Sequence, residues 1–119
     1  MTQKILLAED DATMVSLLKT LLKMEGFQVI LLDANADVPA MVRHEHPDIV
    51  LLDVHLSHQS GLEILTSIRE AEETRHVPVV MTSGADVRDA CIRSGANAFL
   101  LKPYMPDDLI GMLRSNIDI

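Results

Sequence analysis

Residues 4–11 read Lys-Ile-Leu-Leu-Ala-Glu-Asp-Asp, an apolar run of strand length that stops at three consecutive acids, Glu9, Asp10 and Asp11. Its apolar residues are continuous, not alternating, which marks a strand covered on both faces. The pattern returns along the chain. Phe27 to Leu32 is a second run, and Ile49 to Leu52 a third, closed by Asp53. Val77 to Met81 is a fourth, ended by Thr82, Ser83 and Gly84. Ala98 to Leu101 is a fifth, ended by Lys102-Pro103.

Helical spacing fills the gaps. Met14, Leu17, Leu18, Leu21 and Leu22 recur at intervals of three and four, which predicts a helix from about Ala12 to Glu25, ended by Gly26. Asp11 places a negative charge at the first turn of that helix. Asp37 can cap a second helix that carries Pro39 in its first turn, where a missing N–H is harmless, and that stops before Pro47. Leu62, Ile64, Leu65 and Ile68 follow Gly61 at helical spacing. Asp86 can cap a short helix reaching Ser94, with Gly95 behind it. Leu109, Ile110, Met112 and Leu113 give the last. Strand and helix thus alternate five times, which argues for an α/β fold: a parallel sheet with helices on both sides and right-handed crossovers.

A chain of 119 residues forms one domain, 1–119, with no linker, repeat or low-complexity stretch, and can bury a core without metal or disulfide staples. Its net charge of −8 argues against direct binding of nucleic acid or of an anionic membrane surface. The single cysteine, Cys91, excludes an intrachain disulfide, and no apolar run approaches the roughly 20 residues of a membrane span. The first residues carry no secretory signal, so a soluble cytoplasmic domain is expected.

Ligands of open parallel sheets bind at the carboxyl ends of the strands. Here those ends carry Glu9, Asp10 and Asp11, then Asp53, then Thr82 and Ser83, then Lys102. Asp33 ends the second run, where an outer strand would hold it apart. Carboxylates so gathered repel unless a cation is present, and an all-oxygen set of one or two carboxylates plus waters suits Mg²⁺. A cation beside a carboxylate, a lysine and a hydroxyl makes a place for a phosphoryl group. Aspartate can itself become an acyl phosphate.

As a set, Glu9-Asp10, Asp53, Thr82-Ser83 and Lys102-Pro103 resemble the receiver domain of two-component response regulators, over essentially the whole chain. Gly61 falls where that family has a glycine, eight residues after the acceptor aspartate. The resemblance implies a flavodoxin-like three-layer sandwich with sheet order 2-1-3-4-5. It makes Asp53 the phosphoacceptor, charged by a histidine kinase or phosphotransfer protein. Asp10 becomes the direct Mg²⁺ ligand and Glu9 its partner through water, with the main-chain carbonyl of His55 as a third contact. Ser83 matches the hydroxyl that tracks the phosphoryl group, with Thr82 the neighbouring alternative. Lys102 matches the phosphate-contacting lysine, Pro103 a proline that often follows a cis bond, and Phe99 a rotating aromatic. An output domain or target protein, or a second copy of the chain, are the remaining implied partners.

The chain departs from the family at two places. Ser57 stands where proline is usual, and the segment from Ser83 to Lys102 is shorter by a few residues, on the fourth helix or its entry loop. A pseudo-receiver that binds without being phosphorylated should lack an acid or the lysine, and neither is missing. A haloacid-dehalogenase-type phosphohydrolase needs a second acid two residues after its nucleophile, and that position is His55. A flavin carrier would want more aromatic residues than Phe27, Phe99 and Tyr104. His44 and His46 are too close in sequence to share a helix face as metal ligands, and Cys91 and the methionines read as core.

Overall fold

Each of the five apolar runs becomes a strand in the computed structural model, which describes residues 2–33 and 35–117. In chain order the elements are β1 (Lys4–Ala8), α1 (Ala12–Met24), β2 (Gln28–Leu31), α2 (Val38–Glu45), β3 (Ile49–Asp53), β4 (His55–Leu56), β5 (Gln59–Ser60), α3 (Gly61–Glu70), β6 (Val79–Ser83), α4 (Arg88–Arg93), β7 (Ala98–Leu101) and α5 (Pro106–Asn116). The main sheet is parallel throughout, in the order β2-β1-β3-β6-β7. Counting its strands alone, that is 2-1-3-4-5, the flavodoxin-like order. β4 and β5 form a separate antiparallel hairpin with Ser57 and His58 at its turn, in a stretch that the sequence presents only as a loop.

Strand alternation divides the core into two layers. Leu6, Ala8, Val50, Leu52, Val54, Val79, Met81 and Phe99 pack with residues of α2, α3 and α4. Ile5, Leu7, Ile49, Leu51, Val80 and Leu100 pack with residues of α1 and α5. Both faces of the inner strands are covered, which is why they are apolar along most of their length, while the edge strand β2 keeps Gln28 and Leu31 exposed; each fully buried aliphatic side chain contributes about 1.5–3 kcal/mol.

Two boundaries differ from the sequence reading. β6 begins at Val79, not Val77, because Pro78 has no N–H for a ladder; its carbonyl accepts from Val50 N–H at 2.9 Å. Asp86 does not cap α4. Val87 is the N-cap, without a side-chain bond, and Asp86 instead accepts from Arg88 N–H at 3.4 Å. The cap at Asp37 forms as expected, its side chain accepting from Ala40 N–H at 3.1 Å; Asp11, expected as a charge at the first turn, is itself the N-cap of α1 and accepts from Met14 N–H at 3.0 Å.

Candidate functional site

The carboxyl ends of β1, β3, β6 and β7 meet along one rim of the sheet. Register sets the neighbours: Ala8 lies beside Leu52, so Glu9 follows beside Asp53, and Asp53 pairs with Thr82. Ser83 pairs with Leu101, one residue before Lys102.

Lys102 joins the rim into a cluster. Its Nζ donates to Asp53 Oδ2 at 2.5 Å and to Glu9 Oε1 at 2.8 Å. Both acids are buried, each 6 % exposed. Asp53 Oδ1 accepts from His55 N–H at 2.8 Å, so each oxygen of the Asp53 carboxylate is oriented by a different donor. Glu9 Oε2 accepts from Asp11 N–H at 3.2 Å. Burial pushes the Glu9 carboxyl above its ordinary range, against the opposing pull of Lys102, and the nearby Asp53 charge adds to the rise. Burial alone would lower the Lys102 ammonium, but its hydrogen bonds to Asp53 and Glu9 outweigh that and hold it well above the usual lysine range. Burial pushes the neighbouring Tyr104 hydroxyl up to about 12.

Asp10 points to a different partner. Its Oδ2 accepts from the N–H of Ser57 at 2.5 Å and also from the Ser57 hydroxyl. These bonds, the hydroxyl first, hold Asp10 below the ordinary carboxylate range. Among the described residues, no three His, Cys, Asp or Glu side chains are gathered as a ready-made metal cage. The donor set nevertheless fits a hard divalent ion: Lys102 pairs with Glu9 and Asp53 and leaves Asp10 without a salt bridge to it, so negative charge is in surplus, and the carboxylate and carbonyl donors are all oxygen. Mg²⁺ commonly takes one or two carboxylates and completes its shell with water. Asp10, Asp53 and the His55 carbonyl are the residues suited to hold it, with Glu9 behind.

The remaining candidates sit where the strands put them. Ser83 is fully buried, and its oxygen accepts from Ala85 N–H at 3.1 Å, a short turn that fixes it at the rim. Thr82 is buried beside Asp53 in register. Phe99 is 1 % exposed and paired in register with Met81. The Arg88 guanidinium stands 5.9 Å from the centre of its ring and donates to the Phe99 carbonyl at 3.4 Å. By strand alternation Ser83 and Phe99 lie on the same face of the sheet, the one covered by α4. The Lys102–Pro103 peptide is cis. Cys91 is fully buried.

Two contributors have no chemical mark of their own. Gly61 begins α3 directly against the Asp53 backbone. A Cβ there would stand 2.3 Å from the Asp53 carbonyl oxygen and 2.7 Å from Val54 Cα, so only glycine fits. Its N–H donates to the Val54 carbonyl at 2.7 Å. The position of Gly61 after Asp53 hinted at this, but the reason is a backbone approach that sequence does not display. Ser57 is the other; a serine in a polar loop gives no sign that it reaches a residue 47 positions earlier.

Comparison with known proteins agrees with this geometry. The family model of the response regulator receiver domain matches residues 5–114. The DNA-binding response regulator MtrA of Mycolicibacterium paratuberculosis is 32% identical over 98% of the chain, and the match spans 52% of that protein, about half its length. The polar-differentiation response regulator DivK of Brucella ovis is 26% identical over 97% of the chain and 96% of its own length. Among solved structures, the receiver domain of a sensor histidine kinase from Pseudomonas aeruginosa superposes with a TM-score of 0.86 at 26% identity, covering 98% of both chains. That crystal structure has a magnesium ion coordinated in its active site cleft.

Proposed function

Because the chain belongs to the response regulator receiver domain family, we propose that it is a phosphorylation-controlled switch in which Asp53 takes a phosphoryl group from the phosphohistidine of a histidine kinase or phosphotransfer protein. The observation that carries this reading is the placement of Asp53, buried at a strand end with Lys102 on one oxygen and the His55 N–H on the other. An Asp53 oxygen attacks phosphorus, the P–N bond to the donor imidazole breaks, and the acyl phosphate forms. The transition state spreads negative charge over the transferred oxygens. Lys102 neutralises part of that charge, exchanging its bond to Asp53 for bonds to the phosphoryl group. Asp10, Asp53 and the His55 carbonyl, with Glu9 through water, would hold a Mg²⁺ ion, which would supply the rest of the neutralising charge. The acyl phosphate is later hydrolysed slowly, so the domain is a signalling switch that catalyses its own charging, not a metabolic enzyme.

Signal output follows from Ser83. Its hydroxyl gains a charge-assisted hydrogen bond only when phosphoryl oxygens arrive, so the phosphorylated state favours a different position for it. Phe99 shares its sheet face and is the neighbour whose packing would register the move. The ring is already buried under Arg88, so a change there involves this contact as well. The exposed apolar side chains Ile92, Leu101 and Met105 are where an output domain, a target protein or a second copy would dock. No helix among the described residues is long and apolar enough to cross a membrane, and the cytoplasm, where phosphohistidine donors work on their receivers, is the proposed location.

Incubation with acetyl phosphate and Mg²⁺ followed by intact-mass measurement tests the reading. One added phosphoryl group, lost in Asp53→Asn, is expected. A protein that stays unmodified would instead be a pseudo-receiver. Lys102→Ala should still accept some phosphoryl group but lose the phosphorylation-dependent amide shifts of the wild type.

A further inference from the structure

The β4–β5 hairpin brackets the site from outside. At its base the His55 N–H grips Asp53, and at its turn Ser57 grips Asp10. A third tie holds it to the body of the protein, from Gln59 Nε2 to the Ala36 carbonyl at 2.9 Å. The hairpin therefore links the two carboxylates proposed to bind Mg²⁺.

We infer that Ser57 is the positioning residue for Asp10: its hydroxyl and N–H, both donated to Asp10 Oδ2, set the carboxylate that receives the divalent cation. The inference rests on the reading of Asp10 as a Mg²⁺ ligand.

The argument is geometric. The terminal torsion of an aspartate is broad, so an exposed carboxylate swings unless something holds it. Two donors on a single oxygen hold it, while leaving the other oxygen to coordinate. Metal-binding carboxylates are characteristically held from behind in this way, and losing such an outer partner typically weakens the metal by about 10–100-fold. The same contact fixes the turn of the hairpin that carries the His55 carbonyl, so one side chain sets the spacing of two ligands. Proline, usual at this position in the family this chain resembles, has neither the N–H nor the hydroxyl. In this chain hydrogen bonds take over the restraint that a proline ring would supply to the loop.

The test is a Mg²⁺ titration of the full chain followed by backbone amide NMR, on wild type, Ser57→Ala, Ser57→Thr and Ser57→Pro. Ser57→Ala should weaken Mg²⁺ binding by about 10-fold and Ser57→Pro by less, because its ring restrains the loop in place of the hydrogen bonds, while Ser57→Thr, which keeps both donors, should bind as wild type does. In metal-free protein, Ser57→Ala should also speed amide hydrogen exchange across residues 55–60, and Ser57→Thr should not. Equal or tighter Mg²⁺ binding by Ser57→Ala overturns the inference, as does failure of Ser57→Thr to restore affinity. If wild type binds Mg²⁺ but Ser57→Ala does so equally well, the site reading stands and only the role of Ser57 falls. A wild type that binds no Mg²⁺ at its rim overturns both. Should Ser57→Pro fail to fold, the alanine and threonine variants still decide.

Discussion

The two ends of the sheet handle buried charge in opposite ways. At the carboxyl end, Glu9 and Asp53 share the ammonium of Lys102, with Asp10 beside them, so carboxylates outnumber cations. At the amino end, along with Lys4 and its Glu45 pair, sits Arg69, whose hydrogen-bond partners are all neutral. It donates to the carbonyls of Gly95 at 2.9 Å, Val77 at 2.7 Å and Arg75 at 3.1 Å, and to Asn97 Oδ1 at 2.9 Å. Asn97 Oδ1 accepts in turn from Val79 N–H at 2.9 Å, at the start of β6. Burial lowers the Arg69 guanidinium from its ordinary value, yet four of its five N–H donors meet oxygens. Gly95 completes the clamp: its φ of +110° is open to glycine, and a Cβ there would lie 3.0 Å from the Arg69 side chain. The amino end is closed chemistry that ties α3 to two loops. The carboxyl end keeps an unmet demand for positive charge, the condition for binding a cation and turning over an anionic group.

Changes at the two ends should therefore separate activity from stability. The largest expected effect is at Asp53: Asp53→Asn should abolish labelling by acetyl phosphate, measured by intact mass, while Arg69→Ala, assayed well below its melting temperature, should label as wild type does. A folded Arg69→Ala protein that fails to label would erase the contrast. Next comes Gly61→Ala. The added methyl must push back the Asp53–Val54 backbone, so labelling should slow by roughly 10–100-fold, the scale of a misplacement of about 1 Å, with about 1–3 kcal/mol of lost stability. Labelling kinetics together with urea denaturation would check both.

The third expectation belongs to the amino end alone. Arg69→Ala leaves several carbonyls without their donor and should cost about 1–3 kcal/mol in urea denaturation, with Mg²⁺ binding unchanged. A metal titration sharpens the comparison. Mg²⁺ at 100 times its dissociation constant should stabilise the wild type by about 2.7 kcal/mol, raising its melting temperature; the rise should shrink in Asp10→Asn and persist in Arg69→Ala. A rise of equal size in Asp10→Asn would move the cation elsewhere.

The strand rim was legible before the fold because each apolar run stops at the residue that matters: Ala8 before Glu9-Asp10, Leu52 before Asp53, Met81 before Thr82-Ser83, Leu101 before Lys102. The weak points were places where the signal was backbone. Pro78 shortened β6 at its start, and Val87, with no capping oxygen, took the place assigned to Asp86 at α4. The hairpin at 55–60 was invisible because two strands of two residues carry no periodicity.

From the sequence alone came the parallel α/β class, the two-sided burial of its strands, and the identity of the acids, hydroxyls and lysine at their carboxyl ends. Period and polarity are local properties, and a strand's end is marked by the residues that form it. The tertiary structure alone decided that Lys102 divides itself between Glu9, 93 positions away, and Asp53, and that Ser57 closes on Asp10. It also decided that Gly61 must be bare and that Arg69 is held by four neutral oxygens. These are contacts between segments brought together by the crossovers of the sheet, and their distances depend on how the layers pack, which no stretch of the chain records by itself.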